Sequence, residues 1–523
     1  MLATLRLPNG VPISFESASK REDNVIQQLG YVGHTTKLYE ALWRARGTIE
    51  TITAHHLGLR LGGTNACTVL DQHTWIRGSF NVCVPVEVKN GNASHKIVFR
   101  CPMAHKLAEA RYPGSVDEKL SCEAATYIWL QENCPDVAIP HLFGFGFPDH
   151  RHFTHVRHRN VCVRWAWSLW RRICRLFRLP VPSQYASHPV SPGLGPLSPG
   201  LGTGYLLLEF IEPSQGQMLS NTWLNQPHDP ARRQALFRSI SRLMLSLARV
   251  AQPRIGSFRF HQDGTITLTN RPLFSSTMMA ENEGAPRTIR RPDTYTCTEA
   301  FVSDMVTFHD NRFLSQPNAV YNEEDCRGQM AVKTLLRSLS HHYVDRDHRG
   351  GPFYLQLTDL HASNIFVDEN WNITRLIDLE WVCALPREML TVPYWLTGGS
   401  IDQLAEEHLD DFDKARQEFM RVFEEEELAM AATSEQRTSL ARIMNNNWKS
   451  KGVWFWHCLD SVNAMYCLVE DHLCPNFSVG LTVQEEKMLS DLWCEDSAAV
   501  VAQKLDDKQM YDLELRRMFI EGM

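Results

Sequence analysis

The sequence has no C-x-x-C pair, and its 14 cysteines are scattered along the chain. That argues against the common zinc and dithiol-redox arrangements and makes buried free thiols the expectation. Also missing is any uncharged apolar run of the roughly 20 residues that a membrane-spanning helix needs. The amino terminus, MLATLRLPNGVPISFESASK, has no basic stretch leading into a long apolar one, so no secretory signal is read there. These absences predict a soluble, cytoplasmic protein with no transmembrane segment. Strong positive charge is lacking too. The 53 Lys and Arg against 60 Asp and Glu leave a net charge of -7, the wrong sign for a general nucleic-acid binder. One stretch reverses this balance: from Arg151 to Arg178 there are eight arginines and no acidic residue.

What remains is ordinary globular material, 43% hydrophobic and 22% charged, in a chain of 523 residues that can bury a large core in two to four domains or lobes. The stretch Leu355 to Trp381, LQLTDLHASNIFVDENWNITRLIDLEW, holds the most chemistry. Ile365-Phe366-Val367 is a short β-branched and aromatic run, Glu369 to Asn372 is turn-like, and Ile373 to Ile377 returns as a second apolar run, so the stretch predicts a β-hairpin. With the turn near Trp371, Asn364 and Asp378 meet at the open end, about 5 Å apart if they are cross-strand neighbours. Asp359 lies on the loop entering that end. Asp and Asn beside strands commonly serve as turn residues and caps. Two such residues brought together with a third acid nearby form an oxygen ligand set of the kind magnesium takes together with phosphates.

Upstream, residues 1 to about 60 are polar and weakly patterned, with a helix expected through Lys37 to Trp43. Short strands are expected at Trp75 to Arg77, Phe80 to Val88 and Lys96 to Arg100, with a turn at Lys89 to Asn92 whose Asn-Gly step signals a hairpin. Gly78-Ser79-Phe80-Asn81 is a tight turn that could bring backbone near a phosphate. Val116 to Asn133 reads as a helix, in which Glu123 could pair with Arg100 on the preceding strand or could simply be solvated. The basic stretch forms an amphipathic helix, with Arg164, Arg171, Arg175 and Arg178 opposite Ala166, Leu169, Trp170, Ile173, Leu176 and Phe177. Such a helix could lie on an anionic membrane surface through residues 157–179. The placement expected here instead docks its apolar face on the protein and leaves the arginines in water. Pro180 to Gly204 is Pro/Gly/Ser-rich and reads as a loop.

Tyr205 to Ile211 is a continuous apolar strand, and Arg232 to Val250 a helix. Ile255 to Leu268 reads as a hairpin, residues 275 to 295 as irregular, and Met330 to Tyr343 as a helix. Beyond Trp381 helices dominate. The acidic run Glu424 to Glu427 reads as a solvated helix face, and the aromatics around Trp448, Trp454, Phe455 and Trp456 as core.

The order of these elements, together with Thr358-Asp359-Leu360-His361-Ala362-Ser363-Asn364-Ile365-Phe366-Val367-Asp368 and Leu376-Ile377-Asp378-Leu379-Glu380-Trp381, resembles the aminoglycoside phosphotransferase family of the protein-kinase-like fold, and its fungal branch in particular. The resemblance spans roughly residues 65 to 470. It implies an α+β, two-lobed fold with a small, mainly antiparallel β N-lobe and a larger, mainly helical C-lobe. The expected divisions are an extension at 1–64, an N-lobe at 65–212 with an insertion at about 150–204, and a C-lobe at 213–523. By the same resemblance ATP and Mg2+ are the cofactors, Asp359 is the catalytic base, and Asn364 and Asp378 are the magnesium ligands. Gly78, Ser79 and Asn81 fall in the phosphate-covering turn, and Arg100 with Glu123 stands where a lysine–glutamate pair is usual. Glu209 to Ile211 would be the linker whose backbone meets adenine. Arginine at position 100 keeps the charge but changes reach and geometry. The implied activity is transfer of the γ-phosphate to a hydroxyl of an unidentified small molecule. The competing reading is a catalytically silent kinase-like binding or scaffold protein. A protein kinase is disfavoured, because no A-P-E segment or recognisable activation loop follows Asp378.

Overall fold

A computed structural model describes residues 3–59, 66–90, 93–149, 151–188, 202–223, 229–431, 439–477 and 480–522. The chain begins with a short ribbon, β1 (Leu5–Arg6) and β2 (Pro12–Ile13), and helices α1 (Phe15–Ser19), α2 (Val25–Arg44) and α3 (Arg46–His56). The helix expected through Lys37 to Trp43 is the end of α2, which is longer than expected and is followed by a further helix. The Asn24 side chain accepts from the Gln27 N–H and so caps α2 well upstream. The helices lack a bold apolar stripe because they bury only narrow ones. Leu42, Ile49 and Ile52 pack on the sheet described next, whereas Leu5, Leu7 and Ile13 pack on Tyr511, Leu515 and Phe519 near the other chain end.

Eight antiparallel strands follow, interrupted by two helices: β3 (Cys67–Val69), β4 (Ile76–Arg77), β5 (Asn81–Asn90), β6 (Ala93–Pro102), α4 (Ser115–Asn133), β7 (Leu142–Gly146), β8 (His152–His155), α5 (Val161–Leu176), β9 (Tyr185–Ser187) and β10 (Tyr205–Glu209). Their spatial order is β3-β5-β6-β10-β7-β8-β9, with β4 also on β5. Period-2 alternation assigns the faces. Val82, Val84, Val86, Val88, Ile97, Phe99 and Leu207 point to α3, while Leu206, Leu208 and Phe145 point to α4, where Leu120, Ala124 and Ile128 meet them. Of the expected turn after Lys89, Gly91 and Asn92 lie outside the described residues.

Two expectations for the insertion are corrected. Part of the expected loop is strand: Phe153, Thr154 and His155 pair with Ser187, Ala186 and Tyr185, extending the sheet, while residues 189–201 of that loop lie outside the described residues. More consequentially, α5 is turned the other way round. Arg171 and Cys174 are buried, with Arg171 paired to Glu132 at 3.0 Å, whereas Trp165, Leu169, Trp170, Leu176 and Phe177 are exposed. The reason is pairing: Glu132 at the end of α4, itself exposed, offers the buried Arg171 guanidinium a partner, and Trp167 Nε1 donates to the Ser183 carbonyl at 2.9 Å.

The rest of the chain is mainly helical. It runs through β11 (Gln217–Met218), α6 (Pro230–Ala248), a ribbon of β12 (Ser257–Phe260) and β13 (Ile266–Asn270), and helices α7 (Ser275–Asn282), α8 (Thr298–Ser315) and α9 (Glu323–Tyr343). Then come β14 (Tyr354–Leu357), β15 (Ile365–Val367), β16 (Ile373–Leu376) and β17 (Val382–Leu385), and finally α10 (Glu406–Ala431), α11 (Leu440–Lys449), α12 (Gly452–Asp460), α13 (Met465–Leu468), α14 (Val483–Asp491) and α15 (Ser497–Glu521). The irregular reading of 275–295 is corrected by α7, whose Met278 packs with Phe80 and Trp381. Tertiary burial stabilises a helix that its polar sequence does not announce. The solvated reading of Glu424 to Glu427 holds for Glu424 and Glu425, which are exposed, and is corrected for the other two. Glu426 is buried and accepts from Arg238 and Arg242 on α6, and Glu427 accepts from the Leu440 N–H at the start of α11. Trp454, Phe455 and Trp456 are core, as expected.

An antiparallel sheet lobe thus sits on a mainly helical one, with the β14 to β17 hairpins between. This is the two-lobed α+β architecture expected from the sequence, a small antiparallel β lobe with a larger, mainly helical one. Among the described residues no helix is long and apolar enough to cross a membrane.

Candidate active site

The β15–β16 hairpin forms, but one residue off the expected register, with Ile365 opposite Leu376, Phe366 opposite Arg375 and a bulge between Phe366 and Val367. Just beyond the paired residues, the Ile377 N–H donates to the Asn364 carbonyl at 3.0 Å, which sets Asn364 and Asp378 one position apart across the open end. β14 pairs with β17, Leu357 opposite Val382, and Thr358 donates through both N–H and Oγ1 to the Trp381 carbonyl at 3.1 and 2.8 Å. The two hairpins therefore release Asp359 and the segment 378–380 at the same end. The Asn364 amide nitrogen donates to the Asp359 carbonyl at 2.9 Å and closes the loop between them, while Trp395 Nε1 donates to the Leu360 carbonyl at 2.6 Å. Asp378 has φ 65°, a left-handed conformation that costs a non-glycine residue about 1 kcal/mol and ends the strand direction of β16.

Across the gap, β6 supplies Arg100 and α4 supplies Lys119 and Glu123. The Arg100 guanidinium lies 3.0 Å from Glu123 and 3.1 Å from Glu380, and it also contacts Asp378 directly. Lys119, with no exposed side-chain surface, lies 3.0 Å from Glu123, contacts Glu380, and donates to Asn81 Oδ1 at 2.9 Å. The Asn81 amide nitrogen donates onward to Glu380 at 2.7 Å. Two cations thus face three carboxylates.

The surplus is visible in the titration behaviour. Burial works against the charge of Arg100, but Asp378, Glu123 and Glu380 outweigh it and hold the guanidinium above its ordinary range. Burial likewise opposes the Lys119 ammonium, and Glu123 and Glu380 still raise it. Glu380 is held down to about 2 against burial by Lys119 and Arg100. Asp378, by contrast, is pushed up to about 6: burial raises it, Arg100 opposes, and Glu380 and Glu123 add their repulsion. Asp359 rises to about 7, first through burial and then through the negative charges of Asp378, Glu380 and Asp460. One carboxylate oxygen each from Glu123, Asp378 and Glu380 lies within 4.8 Å of the others. An oxygen-rich, negatively biased cluster suits a hard cation such as magnesium.

Beside Asp359 a cavity of about 170 Å³ opens, lined by Thr358, Asp359, His361, Tyr394, Trp395, Trp456, His457 and Asp460 among others, with no Lys or Arg among the described residues of its wall. Burial raises Asp460 to about 6 and lowers His457 to about 4. His361 Nε2 lies 4.0 Å from Asp359 Oδ1, and burial keeps this imidazole below its ordinary range.

The structure brings together Asp359, Asn364, Asp378, Arg100, Glu123 and Asn81. It leaves other predicted residues apart from that cluster. Gly78 and Ser79 form the turn between β4 and β5, where the Gly78 N–H donates to the Asn81 carbonyl at 2.9 Å. A Cβ at 78 would meet only that carbonyl oxygen, at 3.6 Å, so neither backbone geometry nor crowding demands glycine there. Asn81 is buried within the charge cluster, with its amide facing Glu380 and Lys119. Glu209 turns towards β7: its N–H donates to the His141 carbonyl at 2.9 Å and its carboxylate accepts from the His141 N–H at 3.0 Å. Ile211 follows β10 in the chain before Glu212, which lies 3.7 Å from Lys96.

Sequence reasoning missed Lys119, Glu380 and Asp460. Lys119 and Glu123 carry the i, i+4 spacing of a helical ion pair, on a helix whose neighbouring positions are Leu, Ser and Ala. Glu380 stands two residues after Asp378, the spacing that puts extended side chains on one face. Asp460, ending an apolar helix, left no comparable signal.

No protein-family model matches the chain, and no curated protein matches it. The solved structures include three matching chains. One is a macrolide 2'-phosphotransferase type I, 13% identical, with 83% of this chain and 97% of that one covered at a TM-score of 0.31. That likeness is too loose to carry weight; the fold rests on the strands and helices above.

Proposed function

We propose that the protein is an ATP- and magnesium-dependent phosphotransferase that moves the γ-phosphate to a hydroxyl of a small molecule. The observation that carries this reading is the meeting of Asp359, Asn364 and Asp378 at one end of the β15–β16 hairpin, opposite the buried Arg100–Glu123 pair, in a cluster with one more carboxylate than cation. Asp359 would take the proton of the acceptor hydroxyl, and its elevated proton affinity suits a base working near neutral pH. Asn364 and Asp378 would hold magnesium, which when bound neutralises phosphate charge. Glu123 positions Arg100 towards the phosphates, the turn at Gly78 and Ser79 would cover them, and the linker from Glu209 to Ile211 would meet the base. The acceptor would occupy the aromatic cavity beside Asp359, whose wall of acids and apolar groups suits a neutral or cationic molecule better than an anionic one. In this reading residues 1–64 are an extension, 65–212 form the nucleotide-covering lobe with its insertion, and 213–523 form the catalytic lobe.

The test is a screen of hydroxyl-bearing metabolites for magnesium-dependent ATP consumption, with wild type and Asp359→Asn side by side. Turnover by the wild type alone is the expected result. Absence of any thermal shift with millimolar ATP and magnesium would remove the proposal.

A second reading, a kinase-like binding protein without catalysis, is favoured by one contact: the Arg100 guanidinium sits directly on the Asp378 carboxylate that a metal would use. Nucleotide binding with no transfer to any acceptor would select it.

A further inference from the structure

We propose that α5 is a membrane-docking helix that lies in the interfacial plane of an anionic bilayer, with its apolar face among the acyl chains and its arginines at the phosphate level. This goes beyond the phosphotransfer reading and does not depend on it.

The helix divides into three arcs when its residues are placed at about 100° per position. One arc, Val163, Trp167, Arg171 and Cys174, faces the protein; Arg171 and Cys174 are buried, the first by its ion pair to Glu132. The widest arc carries Trp165, Leu169 and Leu176, and at its far margin Trp170 and Phe177. Trp165 is 72% exposed, Leu176 78% and Phe177 67%. The third arc carries Arg164, Arg172 and Arg175, all exposed and bordering the apolar one. Isolated exposed apolar residues are ordinary, but a continuous set on one helix face marks a docking surface.

Charge identifies what docks. No acidic residue occurs between Arg151 and Leu208, so whatever covers the apolar arc also meets a band of arginines. A second copy of this chain would bring the same arginines against these in a two-fold contact, which like-charge repulsion disfavours. An anionic lipid surface offers acyl chains and phosphates in the layered order that the two arcs require, and tryptophan at their margin suits the headgroup boundary. The arc of Val163, Trp167, Arg171 and Cys174 that faces the protein fixes the rotation of the helix, so the exposed face is presented by a rigid mount.

The test is flotation of the full-length protein with vesicles of phosphatidylcholine alone and of phosphatidylcholine mixed with phosphatidylserine. Wild type should float with the mixed vesicles, only weakly with the neutral ones, and less as salt is added. Arg164→Glu/Arg172→Glu/Arg175→Glu should weaken partitioning on the order of a hundredfold, and Trp165→Ser/Leu169→Ser on the order of tenfold or more. All these side chains are exposed, so thermal unfolding should be unchanged. Failure of the wild type to float with anionic vesicles would overturn the proposal. So would equal binding by wild type and both variants, or light scattering that shows a dimer lost in Trp165→Ser/Leu169→Ser without vesicle binding.

Discussion

Helix α4 takes part in two buried charge clusters, and they differ in one respect. On one side Glu118 and Glu281 face three guanidinium groups. Arg271 donates to Glu118 at 2.8 and 3.2 Å and to Glu281 at 3.1 Å, Arg291 reaches Glu118 at 3.1 Å, and Arg287 reaches Glu281 at 2.6 Å. Arg271 also donates to the Ile289 carbonyl at 3.0 Å, so its fork is well used. On the other side, one residue further along α4, Lys119 and Arg100 face Glu123, Asp378 and Glu380. There the Arg100 Nε and Glu123 Oε1 lie 3.0 Å apart yet are misaligned for a hydrogen bond. Both clusters bear the desolvation cost of buried ions. The first offsets it with matched donors and acceptors and holds β13, α7 and α4 together. The second keeps a negative surplus, which a structural ion pair does not need and a cation-binding site does.

The largest effect should separate the two clusters by function. Asp359→Asn is expected to lower phosphoryl transfer by roughly 10²- to 10⁴-fold, the usual range for a general base, while thermal unfolding stays that of the wild type. A parallel loss of stability would make Asp359 structural and blur the distinction.

Arg271→Met should do the reverse. It leaves Glu118 with Arg291 and Glu281 with Arg287 as their remaining cations and should cost about 3 kcal/mol of stability in urea unfolding, with the folded protein still binding nucleotide.

A third buried cation tests whether pairing is what matters. Lys119 and Lys333 are both buried, but among the described residues Lys333 donates only to the Gln329 carbonyl, at 3.0 Å, and lies 4.5 Å from the Phe313 ring centroid. Burial therefore lowers it to about 8, with Asp310 opposing, whereas Lys119 is raised. A lysine whose folded pKa is depressed binds fewer protons than the unfolded chain between about 8 and about 10.4, so its contribution to stability rises with pH across that window and is flat below it. Wild type should gain on the order of 3 kcal/mol relative to Lys333→Met over that window. Equal pH profiles in the two proteins would refute the unpaired-charge account.

The smallest effect concerns the surplus itself. Magnesium should stabilise the wild type by up to about 2–3 kcal/mol at saturating concentration and Lys119→Met by more, because removing the ammonium deepens the negative surplus. The Glu118–Arg271 cluster, with three guanidinium groups for two carboxylates, has no negative surplus to offer a cation, so Glu281→Gln should leave the magnesium response unaltered.

The hairpin and its two ends were legible because they are local. β-branched runs, a turn at Asn370 and Trp371 and equal spacing from it place Asn364 near Asp378 without any distant contact. The Arg100–Glu123 pair was one of two alternatives that the residues left open for Glu123, and the structure forms it. Lys119 was not legible, because whether a helical lysine is solvated or buried depends on which face of α4 the other lobe covers. The same reason explains the inversion of α5. Its apolar arc looked like the docking face, but Glu132, 39 residues earlier and adjacent only in three dimensions, supplies the partner that turns Arg171 inward.

By itself, then, the sequence determined the β15–β16 hairpin and the oxygen-bearing residues gathered at its open end, consequences of β-branched runs and turn chemistry over a short span. Only the tertiary structure decided the balance of charge in the cleft, the cavity beside Asp359 and the outward face of α5. Those depend on which buried ions find partners across the fold, and desolvation makes that choice a matter of several kcal/mol.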